Sequence, residues 1–297
     1  MGNEGTLQII ALSDHTGDKL RKLKEARATR DTDRLHTWKV ALREYQAARA
    51  ARYASVGHAW RNRRLAAWGL AVLRVMVHGL FTRPPSRPCQ VAVGDQEQIW
   101  AAGHEGEGKV QSRLVAQLGP DWIALAGYRN GKGEADLLVV GPPGVLGIEV
   151  KHIAGVVHVD GESWTRDRYD RYGNCVGRNE PIRDRGGRSP AGQINEVLKD
   201  LTAFLAKRHQ RPSILGAVVL THPTARLGTV RGQRVNFVGM ASQLNIYGLF
   251  AACTAPALPP IDVKGIVALI TKDHVWHAQR RSGQGGDGPR SRSGTLA

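Results

Sequence analysis

Cysteine is scarce. The three in this chain of 297 residues, Cys89, Cys175 and Cys253, are odd in number and far apart. They make no CxxC pair and no Cys/His cluster, so neither a disulfide framework nor a structural zinc site is supported, and a reducing cytoplasm fits. The start, "MGNEGTLQIIALSDHTGDKL", lacks the basic-then-apolar order of a secretory signal, which agrees with a cytoplasmic location. No G-x-S-x-G context accompanies the scattered histidines His104, His152, His158 and His222, so a Ser/His/Asp hydrolase is not supported. "GHEGEGKV", Gly103 to Val110, falls short of a phosphate-binding loop: Val110 stands where the Mg²⁺-binding hydroxyl belongs, and Glu105 and Glu107 would face phosphates. There is no internal repeat.

Long apolar runs are nearly absent too. The one that needs a membrane test is "LAAWGLAVLRVMVHGLF", Leu65 to Phe81, close to the lower length limit for a span and interrupted by Arg74 and His78. An arginine near a bilayer centre costs about 2.5–3.5 kcal/mol on insertion scales. A packed or surface-lying helix is therefore expected there, and peripheral membrane contact through 65–81 stays open.

Acidic residues are missing between Arg52 and Arg87, where seven arginines lie: Arg52, Arg61, Arg63, Arg64, Arg74, Arg83 and Arg87. The whole chain carries a formal charge of +16, which attracts polyanions such as nucleic acid or anionic lipid. The arginines, Arg61, Arg63 and Arg64 among them, form either a solvated helical face or a basic arm lying along phosphates.

What is present orders the chain. Residues 16–80 are rich in Ala, Leu, Arg and Lys without proline and read as helix. "TRPPSRP", Thr82 to Pro88, ends it and makes a boundary. A basic helical extension over 1–90, a compact domain over 91–275 and a disordered Gly/Ser/Arg-rich tail over 276–297 are expected. Inside the domain, "DQEQIWAAGHEGEGKVQSRLVAQLG" reads as helix. "EADLLVV" and "VLGIEVK" read as strands around "GPPG", and "GVVHVDGESWTRD" as a second hairpin turning near Asp160 and Gly161. "SPAGQINEVLKDLTAFLAKRH" is a helix with Ser189 as N-cap and Pro190 in its first turn. "SILGAVVLTH" and "RVNFVG" follow as strands, and "IDVKGIVALIT" as a final helix. The order implies a mixed α/β domain.

With "GPPG" as the loop, Val140 faces Val145, Leu138 faces Gly147 and Leu137 faces Ile148. Asp136 then falls opposite Glu149, and Glu134 opposite Lys151. Opposed side chains on one face lie about 5 Å apart, and two carboxylates there repel by about 3 kcal/mol at an effective dielectric of 20. A divalent cation removes the conflict, and hard oxygen ligands suit Mg²⁺ or Mn²⁺. Strand period puts Lys151 on the same face as Glu149, where its ammonium can offset the acids. The plainer reading is an ion pair at a strand end with no metal.

An Asp, a short gap and then Glu-x-Lys on the next strand resembles the core of the PD-(D/E)XK nuclease superfamily. More narrowly, the chain resembles the nuclease-related domain (NERD) family. "GHEGEGKVQSRL" resembles its Gly-Glu helix opening and points to Glu107, with Glu105 as competitor. "GEADLLVVGPPGVLGIEVKHIAG" resembles its central hairpin and the following glycine, Gly155. "DGESW" resembles the next hairpin, with Trp164, and "SPAGQINEVLKDL" its Pro…Gln helix start, with Gln193. The resemblance covers roughly residues 100 to 222, while "NCVGRNEPIRDRGGRSP" is longer and more basic than the family pattern and the first 90 residues match nothing in it.

The resemblance implies a restriction-endonuclease-like α/β fold, a mixed sheet flanked by helices. It also implies Mg²⁺-dependent (or Mn²⁺-dependent) hydrolysis of nucleic-acid phosphodiesters, DNA being the expected partner and substrate. Asp136, Glu149 and the Val150 carbonyl would hold the metal. Lys151 would position the attacking water or stabilise the transition state, Glu107 would complete the acidic cluster, and Gln193 would bond a water or the phosphate. No small-molecule cofactor is implied. The alternative is a protein of the same fold that holds nucleic acid or a partner without cutting it.

Overall fold

A computed structural model describes residues 5–254 and 260–284. By contact the chain divides into two compact units, Met1–Asp18 with Ile99–Ala297, and Lys19–Gln98.

The larger unit is mixed α/β. Its main sheet holds six strands: β1 (Gln8–Ala11), β2 (Ile123–Arg129), β3 (Glu134–Gly141), β4 (Gly144–Lys151), β8 (Ile214–Leu220) and β10 (Phe237–Met240), in the order β1-β2-β3-β4-β8-β10. β2, β3 and β4 are antiparallel neighbours, while β1 on β2 and β4 on β8 and β10 are parallel pairs. A smaller sheet has the order β7-β6-β5-β9, from β5 (Val156–Asp160), β6 (Ser163–Tyr169), β7 (Cys175–Pro181) and β9 (Arg226–Arg231).

β3 and β4 bury nearly every residue, which explains their almost continuous apolar run. Alternation divides their side chains between two cores. Leu138, Val140 and Val145 face Ala191, Ile194, Val197 and Leu198 of α4 (Pro190–Ala206), together with Ile266 and Ile270 of α6 (Val263–Gln284). Leu137, Val139, Leu146 and Ile148 face Val110 and Leu114 of α3 (Asp95–Gln117), Leu118 just past its end, and Ile246 and Phe250 of α5 (Ile246–Cys253). Gly147 keeps α4 close to the sheet, because a Cβ there would meet Leu198 at 2.6 Å. Ser189 caps α4 as expected, its Oγ accepting the Gly192 N–H at 2.9 Å.

The smaller unit carries most of α1 (His15–Arg61) and all of α2 (Leu65–Phe81). The run expected as one helix over 16–80 breaks at Asn62–Arg64. Arg63 takes a left-handed φ of +53°, and the Arg63 and Arg64 N–H groups close on Trp60 and Ala59 carbonyls. α2 folds back along α1: Trp68 meets Trp60 and His78 meets Tyr45, with ring centroids 5.6 and 6.3 Å apart. The Pro-rich segment returns extended, held by Trp38 Nε1 donating to the Pro85 carbonyl and by the Val91 N–H donating to Asp31. Among the described residues no helix is long and apolar enough to cross a membrane.

Three boundaries differ from the sequence expectation. β1 comes from Gln8–Ala11, so part of the expected extension is an edge strand of the main sheet, parallel to β2. β2 and the edge strands β7 and β9 went unassigned in the sequence; the two edges are mostly exposed and lack the apolar alternation that marks a buried strand. α6 runs to Gln284, so 276–284 continue a helix, and the remainder of the expected tail, 285–297, lies outside the described residues.

Candidate active site

The hairpin register is the one read from "GPPG": Leu137 opposes Ile148, Leu138 Gly147, Val139 Leu146 and Val140 Val145, with Gly141 and Gly144 closing the turn. The ladder stops at Leu137–Ile148. Beyond it the two strands part, and the Asp136 carboxylate takes the place of a strand partner: the Val150 N–H donates to Asp136 Oδ2 at 2.6 Å. Glu134 does not meet Lys151. It pairs across β2 with Arg129 and accepts from Ser13 Oγ at 3.3 Å.

Asp136 precedes Leu138 by two residues, and Glu149 follows Val145 by four. Both acids therefore share the α4 face of the sheet, with Lys151 beside them. Glu149 is 5% exposed. Lys151 Nζ donates to Glu149 Oε1 at 2.6 Å. Burial, and then the charge of Glu149, push the Asp136 carboxyl well above the ordinary range. Burial also raises Glu149, with Lys151 pulling the other way. For Lys151 burial opposes the ammonium, but Glu149 and Asp136 overcome it and the pKa is raised. Two carboxyls with raised proton affinity and one ammonium thus share a site in which Glu149 is buried and Asp136 and Lys151 are half-buried.

Glu107 comes from α3, in the layer on the other face. Its carboxylate accepts from Thr16 Oγ1 at 3.0 Å, burial raises its pKa, and its charge reaches Asp136 as a minor contribution. Glu105 is exposed and bound to Lys109 at 2.7 Å, which leaves Glu107 as the helix carboxylate nearer the site. Gln193 lies in the first turn of α4. Its Oε1 is buried with no hydrogen-bond partner among the described residues. Arg61, Arg63 and Arg64 are exposed at the α1–α2 junction of the smaller unit.

Two residues near the site were not picked out from sequence. Asp184 accepts the Arg188 N–H and its Nε, both at 2.8 Å, and Arg188 also pairs with Glu196 at 2.8 Å. Burial opposes the Asp184 charge, but the Gln193 amide and the Arg188 contacts hold its pKa far below the carboxylate range. Asp184 also acts electrostatically on Lys151, and Arg188 on Glu149. Only the surplus of arginines in "IRDRGG" hinted at a role for this loop. Gly155 is required by geometry: φ is +100°, and a Cβ would lie 2.1 Å from the Asp167 carbonyl oxygen. Trp164 is a core residue, 1% exposed.

The donor set fits a hard divalent cation. Two acids with raised proton affinity share one face, and a buried amide oxygen nearby lacks a partner. Among the described residues no group of three or more His, Cys, Asp or Glu side chains could hold a metal. An ion here would rely on two carboxylates with main chain and water, as Mg²⁺ commonly does.

The family model for the nuclease-related domain matches residues 102–221. This segment is similar to the nuclease-related domain family. The match contains Glu107, Asp136, Glu149, Lys151 and Gln193, and stops just after β8. β1, α5 and α6 lie outside the nuclease-related segment yet complete its sheet and cores. No curated protein and no solved structure matches the chain.

Proposed function

We propose that the nuclease-related domain hydrolyses phosphodiester bonds of nucleic acid, DNA being the substrate to test first, with Mg²⁺ or Mn²⁺ as cofactor. The observation that carries this reading is the pairing of Asp136 and Glu149 on one sheet face beside Lys151, whose amine contacts Glu149 at 2.6 Å.

Asp136 and Glu149 would hold the cation, with the main chain at Val150 between them. When bound, the cation would lower the pKa of water and neutralise charge on the scissile phosphate. The chain's own groups do the rest. Asp136 is fixed by the Val150 N–H, so its second oxygen is oriented before any ligand arrives. Lys151 is held protonated by the two acids and presents an ammonium to the charge that develops on the phosphate. Gln193, its amide nitrogen turned to Asp184, leaves Oε1 as an acceptor able to orient a water hydrogen. Glu107 adds negative charge at the rim, anchored by Thr16.

One observation favours a second reading, a binder that does not cut: the Lys151–Glu149 contact already neutralises one acid without a metal. Incubation of plasmid and of single-stranded DNA and RNA with the full chain separates the two. Cleavage with Mg²⁺ or Mn²⁺ that is lost in EDTA and in Asp136→Ala supports the nuclease. Retained binding with no cleavage in any divalent cation refutes it and leaves the binder.

A further inference from the structure

The α1–α2 hairpin is apolar where it should be polar. α2 buries none of its side chains fully, and Leu65, Leu70, Leu73, Met76, Leu80 and Phe81 are all exposed, the last two at 79% and 81%. On a helical wheel these residues span one side, opposite the face that Ala71, Val75 and His78 turn to α1. Contiguous exposed apolar area of this kind marks an interaction surface.

Charge names the partner. From Tyr45 to Gly94 there are eight arginines and no acidic residue. Between the helices lies an open groove of about 700 Å³, with Leu73, Val77 and Phe81 on its apolar side and Arg52, Arg74 and His78 on its polar side. Arg52 Nη1 and His78 Nε2 are buried there without a hydrogen-bond partner among the described residues, while His78 Nδ1 lies 2.7 Å from Thr82 Oγ1. A smaller recess of about 320 Å³ shares Arg52 and adds Arg49 and Arg83. A half-buried arginine with one buried, unpartnered guanidinium nitrogen, next to an aliphatic wall, suits an anion that carries a hydrocarbon tail.

We propose that this hairpin binds the surface of an anionic phospholipid bilayer, with the α2 stripe among the acyl chains and Arg52 on a headgroup phosphate. The helix lies flat. Its 17 residues rise about 25 Å, short of a hydrocarbon core of about 30 Å, and Arg74 sits in its second half. Trp60 and Trp68, in contact beside Arg61, Arg63 and Arg64, occupy the headgroup level that tryptophan favours. Nucleic acid would neutralise the arginines but leave the aliphatic stripe in water, since bases stack on aromatic rings. A second copy would cover the stripe but bring like charge against like charge with no acid in the segment to relieve it.

The test is co-sedimentation of the full chain with vesicles of phosphatidylcholine alone and of phosphatidylcholine mixed with phosphatidylglycerol, alongside oligonucleotide binding and light scattering. The wild type should prefer the anionic vesicles by about tenfold or more, each arginine adding about fivefold. The exposed triple change Leu73→Ser, Met76→Ser and Leu80→Ser keeps the charge and should weaken vesicle binding by about tenfold or more, with oligonucleotide binding unchanged. Arg52→Gln should lower the anionic preference about fivefold.

The proposal is overturned by wild type that ignores anionic vesicles, even if inorganic phosphate raises its melting temperature. It is also overturned by a triple variant that sediments like wild type, or one that loses oligonucleotide binding in parallel. A wild-type dimer that ignores vesicles and that the triple variant dissolves would make the stripe a self-interface instead.

Discussion

Removing one charge from the acidic pair should stabilise the protein while abolishing its proposed chemistry. Asp136 and Glu149 share one face just past the last β3–β4 pair, and two carboxylates about 5 Å apart repel by about 3 kcal/mol at an effective dielectric of 20. Lys151 lies against Glu149 and offsets part of that. Asp136→Asn keeps an oxygen for the Val150 N–H and deletes the charge. In EDTA at neutral pH the variant should therefore be more stable by about 2 kcal/mol, or roughly 4–8 °C in melting temperature for a unit of this size.

The pH dependence has a definite sign. Asp136 binds its proton more tightly folded than unfolded, so the folded state is favoured while the group is protonated. Wild-type stability then falls as pH rises from the ordinary Asp range through the raised folded value, and stays low above it. Asp136→Asn lacks that fall. Saturating Mg²⁺ or Mn²⁺ reverses the order, because a ligand at a hundred times its Kd contributes about 2.7 kcal/mol to the wild type alone. Differential scanning fluorimetry across pH, with and without the cation, reads all of this. A variant less stable than wild type in EDTA would show that Lys151 already satisfies both acids. Equal stabilisation of both proteins by the cation would show that it binds elsewhere.

Further outcomes follow from the same geometry. Lys151→Met should abolish cleavage and, by leaving Glu149 buried without its partner, cost about 3 kcal/mol in denaturant unfolding. An unchanged midpoint would mean that the ion pair contributes nothing to the fold. Gly155→Ala forces a left-handed φ on alanine and a Cβ onto the Asp167 carbonyl, so it should destabilise by about 2 kcal/mol or more and reduce soluble yield. For Asp184, whose folded pKa is depressed, the stabilisation is present above the ordinary Asp range and fades as pH falls below it. Asp184→Asn should flatten that acid limb in a thermal scan, and an unaltered limb would remove Asp184 from the account.

The β3–β4 hairpin was legible because a strand has period two and a short Pro-Pro turn leaves little freedom of register. The resulting face for Asp136, Glu149 and Lys151 follows from counting alone. The α4 start was equally legible, since Ser before Pro offers an oxygen to the free helix N–H groups. The ladder did not extend as far as counting suggests. Beyond Leu137 the strands part, because the Asp136 side chain captures the amide that strand pairing would have used. Glu134, which counting set against Lys151, went instead to Arg129 on a strand the sequence did not announce.

Sequence by itself determined the strand and helix periods, the face shared by the acids, the basic balance and the nuclease-related motifs, since these depend on spacing along the chain. Tertiary structure alone decided the rest. It brought β1 from the N-terminal region onto the sheet edge, Thr16 onto Glu107, and Asp184 with Arg188 to the site. It also left the apolar side of α2 uncovered. The reason is physical: contacts between residues distant in sequence are set by which surfaces remain to be buried once the local elements have formed, and no local spacing encodes that choice.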